Sequence, residues 1–89
     1  MIVYGGFVMK EMDRVEIVVE KEKYFKYGVH KGMQGWICDE RCIDESRLVN
    51  FPQCGDKEDI AEIPIKEKDL KLIDIMDAKI NEEIAEKYK

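Results

Sequence analysis

Eighty-nine residues suffice for one domain and are too few for two independent hydrophobic cores. An apolar fraction of 45% argues for a folded chain, and a charged fraction of 39% gives it a heavily solvated surface. Twenty acidic residues against fifteen basic ones leave a formal charge of −5, which repels phosphate backbones and anionic lipid and favours a basic protein partner.

The N-terminal run MIVYGGFVMKEMDR is apolar but short, and it carries neither a basic flank nor a small-residue cleavage site. Ile2-Val3-Tyr4 and Phe7-Val8-Met9 around Gly5-Gly6 read as a small hairpin or as a leader, so 1–13 is set apart as an N-terminal segment. Three cysteines cannot all pair within one chain, and an odd count without a secretion signal reads as a reduced, cytoplasmic protein. No stretch approaches the ~20 apolar residues of a membrane span.

Val15, Ile17 and Val19 alternate with Glu16, Val18 and Glu20, the two-residue period of a half-buried strand. The run KEKYFKYGVHK at 21–31 is charged and aromatic without either period, and reads as a long excursion. Gly32-Met33-Gln34-Gly35 reads as a tight turn into a second strand at Trp36-Ile37-Cys38, since glycine permits unusual backbone angles or a close strand approach. After a polar connection at 39–46, a third strand is expected at 47–51, where Pro52 ends its hydrogen bonding. QCGDKED supplies turn residues. A fourth strand follows at 60–65, marked as an edge by Pro64. Residues 66–69 fit one helical turn and 70–73 a fifth strand.

From Asp74 the period changes. Ile73, Met76, Ile80, Ile84 and Tyr88 are spaced three, four, four and four apart, which makes one helical stripe. Asp74 suits the N-cap and Asp77 the first turn, predicting a helix over 75–88. A helix this short is marginal in water, so its packing face (Met76, Ile80, Ile84, Tyr88) must bury itself against the chain's own barrel or against a second copy in a homodimer. Burying Met76, Ile80 and Ile84 at roughly 1.5–3 kcal/mol each bounds the stabilisation at about 4.5–9 kcal/mol.

These elements give a mainly β fold with a barrel at 14–73 and an amphipathic α-helix at 74–89. Five short strands, a long first loop, a glycine-marked turn and one helical turn before the last strand resemble a Src homology 3-like barrel. The run Val29-His30-Lys31-Gly32-Met33-Gln34-Gly35-Trp36-Ile37 is also similar to KOW-type barrels of ribosomal and transcription proteins, and small bacterial proteins carry this barrel too. Two departures stand out. The first loop is lysine-rich where the peptide-binding branch has acids, and Trp36 lies on the second strand instead of opening the third. The resemblance therefore implies an architecture and no proline-rich ligand.

Cys38, Cys42, Cys54 and His30 supply the ligand types of a Cys3His zinc site, but their spacing matches no common zinc module, and neither metal nor another cofactor is expected. One histidine without a positioned thiol and scattered carboxylates give no convergent catalytic set, so the chain reads as no enzyme. Tyr24, Phe25 and Tyr27, with Trp36 nearby, are candidates for a contact surface, since tyrosine and tryptophan anchor interfaces. The competing reading puts Phe25, Trp36 and Phe51 in the core and lays the tyrosines across its rim. The expected function is a non-catalytic protein-binding module, such as a regulatory or immunity-type inhibitor. Its rivals are a KOW-like RNA-associated barrel, with Lys21, Lys23, Lys26 and Lys31 beside the loop aromatics, and a small metal-binding protein.

Overall fold

The computed structural model describes residues 9–88, so the hairpin expected at 2–9 lies, except for Met9, outside the described residues. Within them the chain is mainly β: five antiparallel strands form one curled half-barrel sheet, followed by a helix. The strands are β1 (Arg14–Ile17), β2 (Gln34–Ile37), β3 (Ser46–Phe51), β4 (Ala61–Lys66) and β5 (Leu70–Leu72), in spatial order β4-β3-β2-β1-β5. A short helix, α1 (Glu22–Phe25), lies between β1 and β2, a single 3₁₀ turn (Glu67–Asp69) between β4 and β5, and α2 (Ala78–Lys87) at the end.

Period-two alternation explains the core. Val15 and Ile17 of β1, Ile37 of β2, Val49 and Phe51 of β3 and Ile65 of β4 are all 0% exposed, joined by Val29 and Met33 from the β1–β2 connection. The long β3–β4 ladder runs from Ser46↔Lys66 to Phe51↔Ala61. Pro64 sits in β4, which is an edge, as its missing N–H requires.

The entry into β2 differs from the sequence expectation. The turn closes two residues earlier, with the Met33 N–H on the His30 carbonyl (3.1 Å) and the Gly32 N–H on the Ile17 carbonyl (2.9 Å), and Gly32 takes φ +94°. Gly35 is not a turn residue. It lies inside β2, where an added Cβ would overlap the Asn50 carbonyl oxygen and stand 2.9 Å from its carbon. Its role is close approach of two strands.

The helix also starts later than expected. The N-cap is Asp77, whose Oδ1 accepts from the Lys79 N–H (2.9 Å), and not Asp74. The delay has a cause in β1: Arg14 accepts from the Ile73 N–H (2.9 Å) and donates through Nε to the Asp74 carbonyl (2.9 Å). The chain is thus held extended beside β1 past the end of β5. The Asp77 N–H is then fixed by Gln34 Oε1 (2.8 Å).

The apolar stripe only partly carries the packing of α2. Met76 and Ile80 are half-buried, Ile84 packs against the core, and Tyr88 is 56% exposed. The buried residue of α2 is the polar Asn81, at 0% exposure. The pairs between β2 and β3 are Trp36↔Asn50 and Ile37↔Val49, so at Gln34 the strands have parted. Asn81 fills the opening: Oδ1 accepts from the Gln34 N–H (2.7 Å), and Nδ2 donates to the carbonyls of Gln34 (2.7 Å) and Pro52 (2.8 Å). The far end of the helix is held by rings. Tyr88 stacks on His30 at 3.6 Å between centroids, and Phe25 lies on His30 at 6.0 Å. The helix therefore packs on its own barrel.

Candidate binding groove

The aromatic run of the first loop is sorted by α1. Its four residues turn Tyr24 inward, to 2% exposure, and leave Phe25 (43%) and Tyr27 (53%) outward. Tyr24 is held by polar contacts at the barrel wall. Its hydroxyl donates to Asp69 Oδ2 (2.6 Å) and accepts the Lys66 N–H (3.1 Å), while Lys21 Nζ lies 3.0 Å from the same carboxylate. Burial and the hydrogen bond to Asp69 push the Tyr24 hydroxyl up to about 12. Burial alone would raise Asp69, yet the bonds from Tyr24 and Lys21 outweigh it and hold the carboxyl below its usual range.

Tyr24→Phe should therefore destabilise the fold by about 1–3 kcal/mol, because it strips Asp69 and the Lys66 N–H of a buried partner. The sign of its pH effect also follows. The Tyr24 hydroxyl titrates higher in the folded state than in the unfolded chain, so its contribution is complete below pH 10.0 and is lost as pH rises toward about 12. Urea titrations of both proteins across that range check this: the gap between wild type and Tyr24→Phe should narrow as pH rises, and a constant gap would assign the loss to packing alone.

Beside this anchor lie two cavities that share Ser46, Pro64 and Lys66 and so form one groove around the β4 edge. The larger, about 450 Å³, lies between the β2–β3 connection and the β3–β4 pair, where Ile43, Leu48 and Pro64 supply its apolar lining. The smaller, about 310 Å³, lies between α1 and β4 and is lined by Lys23, Lys26 and Lys66 with Tyr24, Tyr27 and Ile63. No carboxylate lines it.

The connection that builds the larger cavity is a tight hairpin, not the featureless polar link read from its composition. Ile43 and Ser46 exchange hydrogen bonds (3.1 and 2.9 Å) across Asp44 and Glu45, which take φ 53° and 63°. Two consecutive left-handed residues make the mirror-image turn that strand twist prefers, usually with Asn-Gly. With Asp-Glu the turn is strained, and partners from the end of β4 hold it. Lys66 Nζ donates to the Asp44 carbonyl (2.6 Å), and the Glu67 N–H to the Glu45 carbonyl (2.8 Å). The result is a fixed tip that presents Ile43 at 59% exposure. Next to it Arg41 grips Asp39 through Nε (3.1 Å) and Nη2 (2.7 Å), and this bond holds the Asp39 carboxyl down at about 2.

Of the four aromatic candidates, Tyr24 and Tyr27 border the groove, Phe25 joins the His30 stack, and Trp36 is half-buried on β2. The apolar lining of the groove, Ile43, Leu48 and Pro64, comes from one connection and two separate strands, so no local pattern along the chain joins it. The four candidate metal ligands are not gathered. His30 Nδ1 bonds Glu20 (2.6 Å), Cys38 Sγ lies near Glu62 (3.8 Å), and Cys42 and Cys54 are exposed on separate loops. Among the described residues no three histidine, cysteine or acidic side chains group around a metal position, and no helix is long and apolar enough to cross a membrane. Burial and the neighbouring Glu62 push the Cys38 thiol up to about 11, and a hydrogen bond to Glu82 raises Cys54. Comparison with known proteins finds no matching family model, no matching curated protein and no matching solved structure.

Proposed function

We propose that this chain is a non-catalytic protein-binding module on a Src homology 3-like barrel, acting as a regulatory or inhibitory partner through the groove around the β4 edge. The strand order, with β1 between β2 and β5, and the 3₁₀ turn between β4 and β5 support that barrel. The observation that carries the binding reading is Ile43, held 59% exposed on a strained, braced turn beside Leu48 and Pro64. An apolar anchor fixed next to an open cavity suits a contact surface, because little order remains to be lost on binding.

A catalytic role draws no support from Cys38 or Cys54. A nucleophilic cysteine needs a depressed pKa, and Cys38 and Cys54 are both shifted upward. The lone histidine has Nδ1 on Glu20 and its ring between Phe25 and Tyr88. A second reading, single-stranded RNA binding, is favoured by one feature: the acid-free cavity where Lys23, Lys26 and Lys66 meet the exposed Tyr27.

The test is a photo-crosslinking residue placed in turn at Ile43, Tyr27 and Lys79 in the native cell. Protein adducts at Ile43 and Tyr27, and none at Lys79 on α2, are the expected result. Adducts to RNA at Tyr27 would promote the second reading. Adducts confined to Lys79 would move the contact surface to the helix.

A further inference from the structure

Resting on that groove reading, we infer that the occupant is an acidic segment of a partner protein that carries one large apolar side chain and docks side-on, without adding a strand to the sheet. The charge of the groove runs against the charge of the chain. Twenty acids and fifteen bases make the protein negative, yet the smaller cavity is lined by three lysines and no carboxylate. Two of these cations rest on aromatic rings and the third on a backbone carbonyl. Lys23 Nζ lies 5.3 Å over the Tyr24 ring and Lys26 Nζ 5.4 Å over the Tyr27 ring, contacts that position an ammonium without neutralising it. Lys66 Nζ bonds a neutral carbonyl, that of Asp44. The larger cavity adds Asp39, paired with Arg41, and Asp44, so the two cavities together carry four cations (Lys23, Lys26, Lys66 and Arg41) against two carboxylates. Local field, not the sum of charges, selects what approaches a surface, so the basic partner expected from the net charge gives way here to an acidic one.

The apolar requirement comes from the larger cavity. Ile43, Leu48 and Pro64 bound a space of about 450 Å³, room for a leucine, phenylalanine or tryptophan side chain. The docking mode comes from the edge strand. Lys66 turns its N–H away from β3 to the Tyr24 hydroxyl, and Pro64, two residues earlier on the same side, has no N–H to offer. Strand addition needs a row of open donors and acceptors, and here two successive donors are missing. Recognition must therefore go through side chains. RNA fits less well, because the groove offers one well-exposed ring, Tyr27, for stacking, and the whole chain repels phosphate.

Fluorescence anisotropy on the full chain tests this with four dye-labelled probes. They are short Asp/Glu peptides with one central Leu, Phe or Trp, the same peptides with Lys for every acid, acidic peptides lacking the apolar residue, and oligouridine. The acidic-apolar peptides should bind best and weaken with salt, and the double variant Lys23→Glu, Lys26→Glu should weaken them by about tenfold. The control Lys79→Glu, Lys87→Glu should leave them unchanged. A preference for the lysine peptides that is lost on Ile43→Asp would keep the groove and overturn the acidic chemistry. Binding of oligouridine alone, or of no probe, would overturn the chemistry and the groove reading together. Amide-exchange protection appearing along the outer edge of β4 on peptide binding would overturn the side-on mode. All variants lie on exposed side chains, and melting curves verify that they fold.

Discussion

Gly35→Ala is expected to remove a large share of the fold's stability. The methyl group would overlap the Asn50 carbonyl oxygen, stand 2.9 Å from the Asn50 carbon and press on Val49 Cγ1 at 3.2 Å. A side chain in the way can rotate; a carbonyl in a neighbouring strand moves only if the strand moves. Ordinary overpacking of a core costs about 1–3 kcal/mol, and here the relaxation that limits such costs is closed. The paired residues of β2 and β3 are Trp36↔Asn50 and Ile37↔Val49, so displacing Asn50 opens the seam that joins one half of the sheet to the other. A loss of about 4 kcal/mol or more is expected, against the 5–15 kcal/mol of a typical domain. Urea unfolding with far-ultraviolet circular dichroism measures it. A variant melting within a few degrees of wild type would mean that β2 and β3 can separate at this point without consequence.

Asn81→Leu should have the next largest effect, although leucine is a better helix former and a more apolar residue. The site is completely enclosed, and the amide group meets three backbone groups there: the N–H and C=O of Gln34 and the C=O of Pro52. Leucine has the right size and no partner for any of them. Each buried backbone group left unpaired costs about 1–3 kcal/mol, so the bound is about 3–9 kcal/mol, lowered by whatever water enters the gap. By contrast, Ile84→Ala removes only part-buried apolar contact and should cost less, about 1–2 kcal/mol. That order inverts what the helical stripe alone would suggest. Denaturant midpoints of the two variants decide it, and a greater loss from Ile84→Ala would restore the stripe as the main attachment of α2. Asn81→Asp adds a separate signature. Its carboxylate would face two carbonyls, so the variant should be least stable at neutral pH, where that group is ionised.

Local pattern determined the elements. The alternation of Val15 and Ile17, the apolar third strand before Pro52, Pro64 at an edge, one helical turn before the last strand and the terminal helix all rest on residues a few positions apart. Period and turn chemistry are written at that range, so a sequence states them directly. What joins the elements is written at long range. Tyr24 and Asp69 are 45 residues apart, and Gln34 and Asn81 are 47 apart. No period along the chain says which of Tyr24, Phe25 and Tyr27 turns inward, that a glycine serves strand approach and not a turn, or that an asparagine buries more completely than the isoleucines beside it. The groove belongs to the same class. Its lysines and apolar residues come from α1, a strained turn without the usual Asn-Gly, and two strands, and the net charge of the chain has the opposite sign. Only folding brings them together, because burial, local field and backbone satisfaction belong to the assembled surface and to no segment of it.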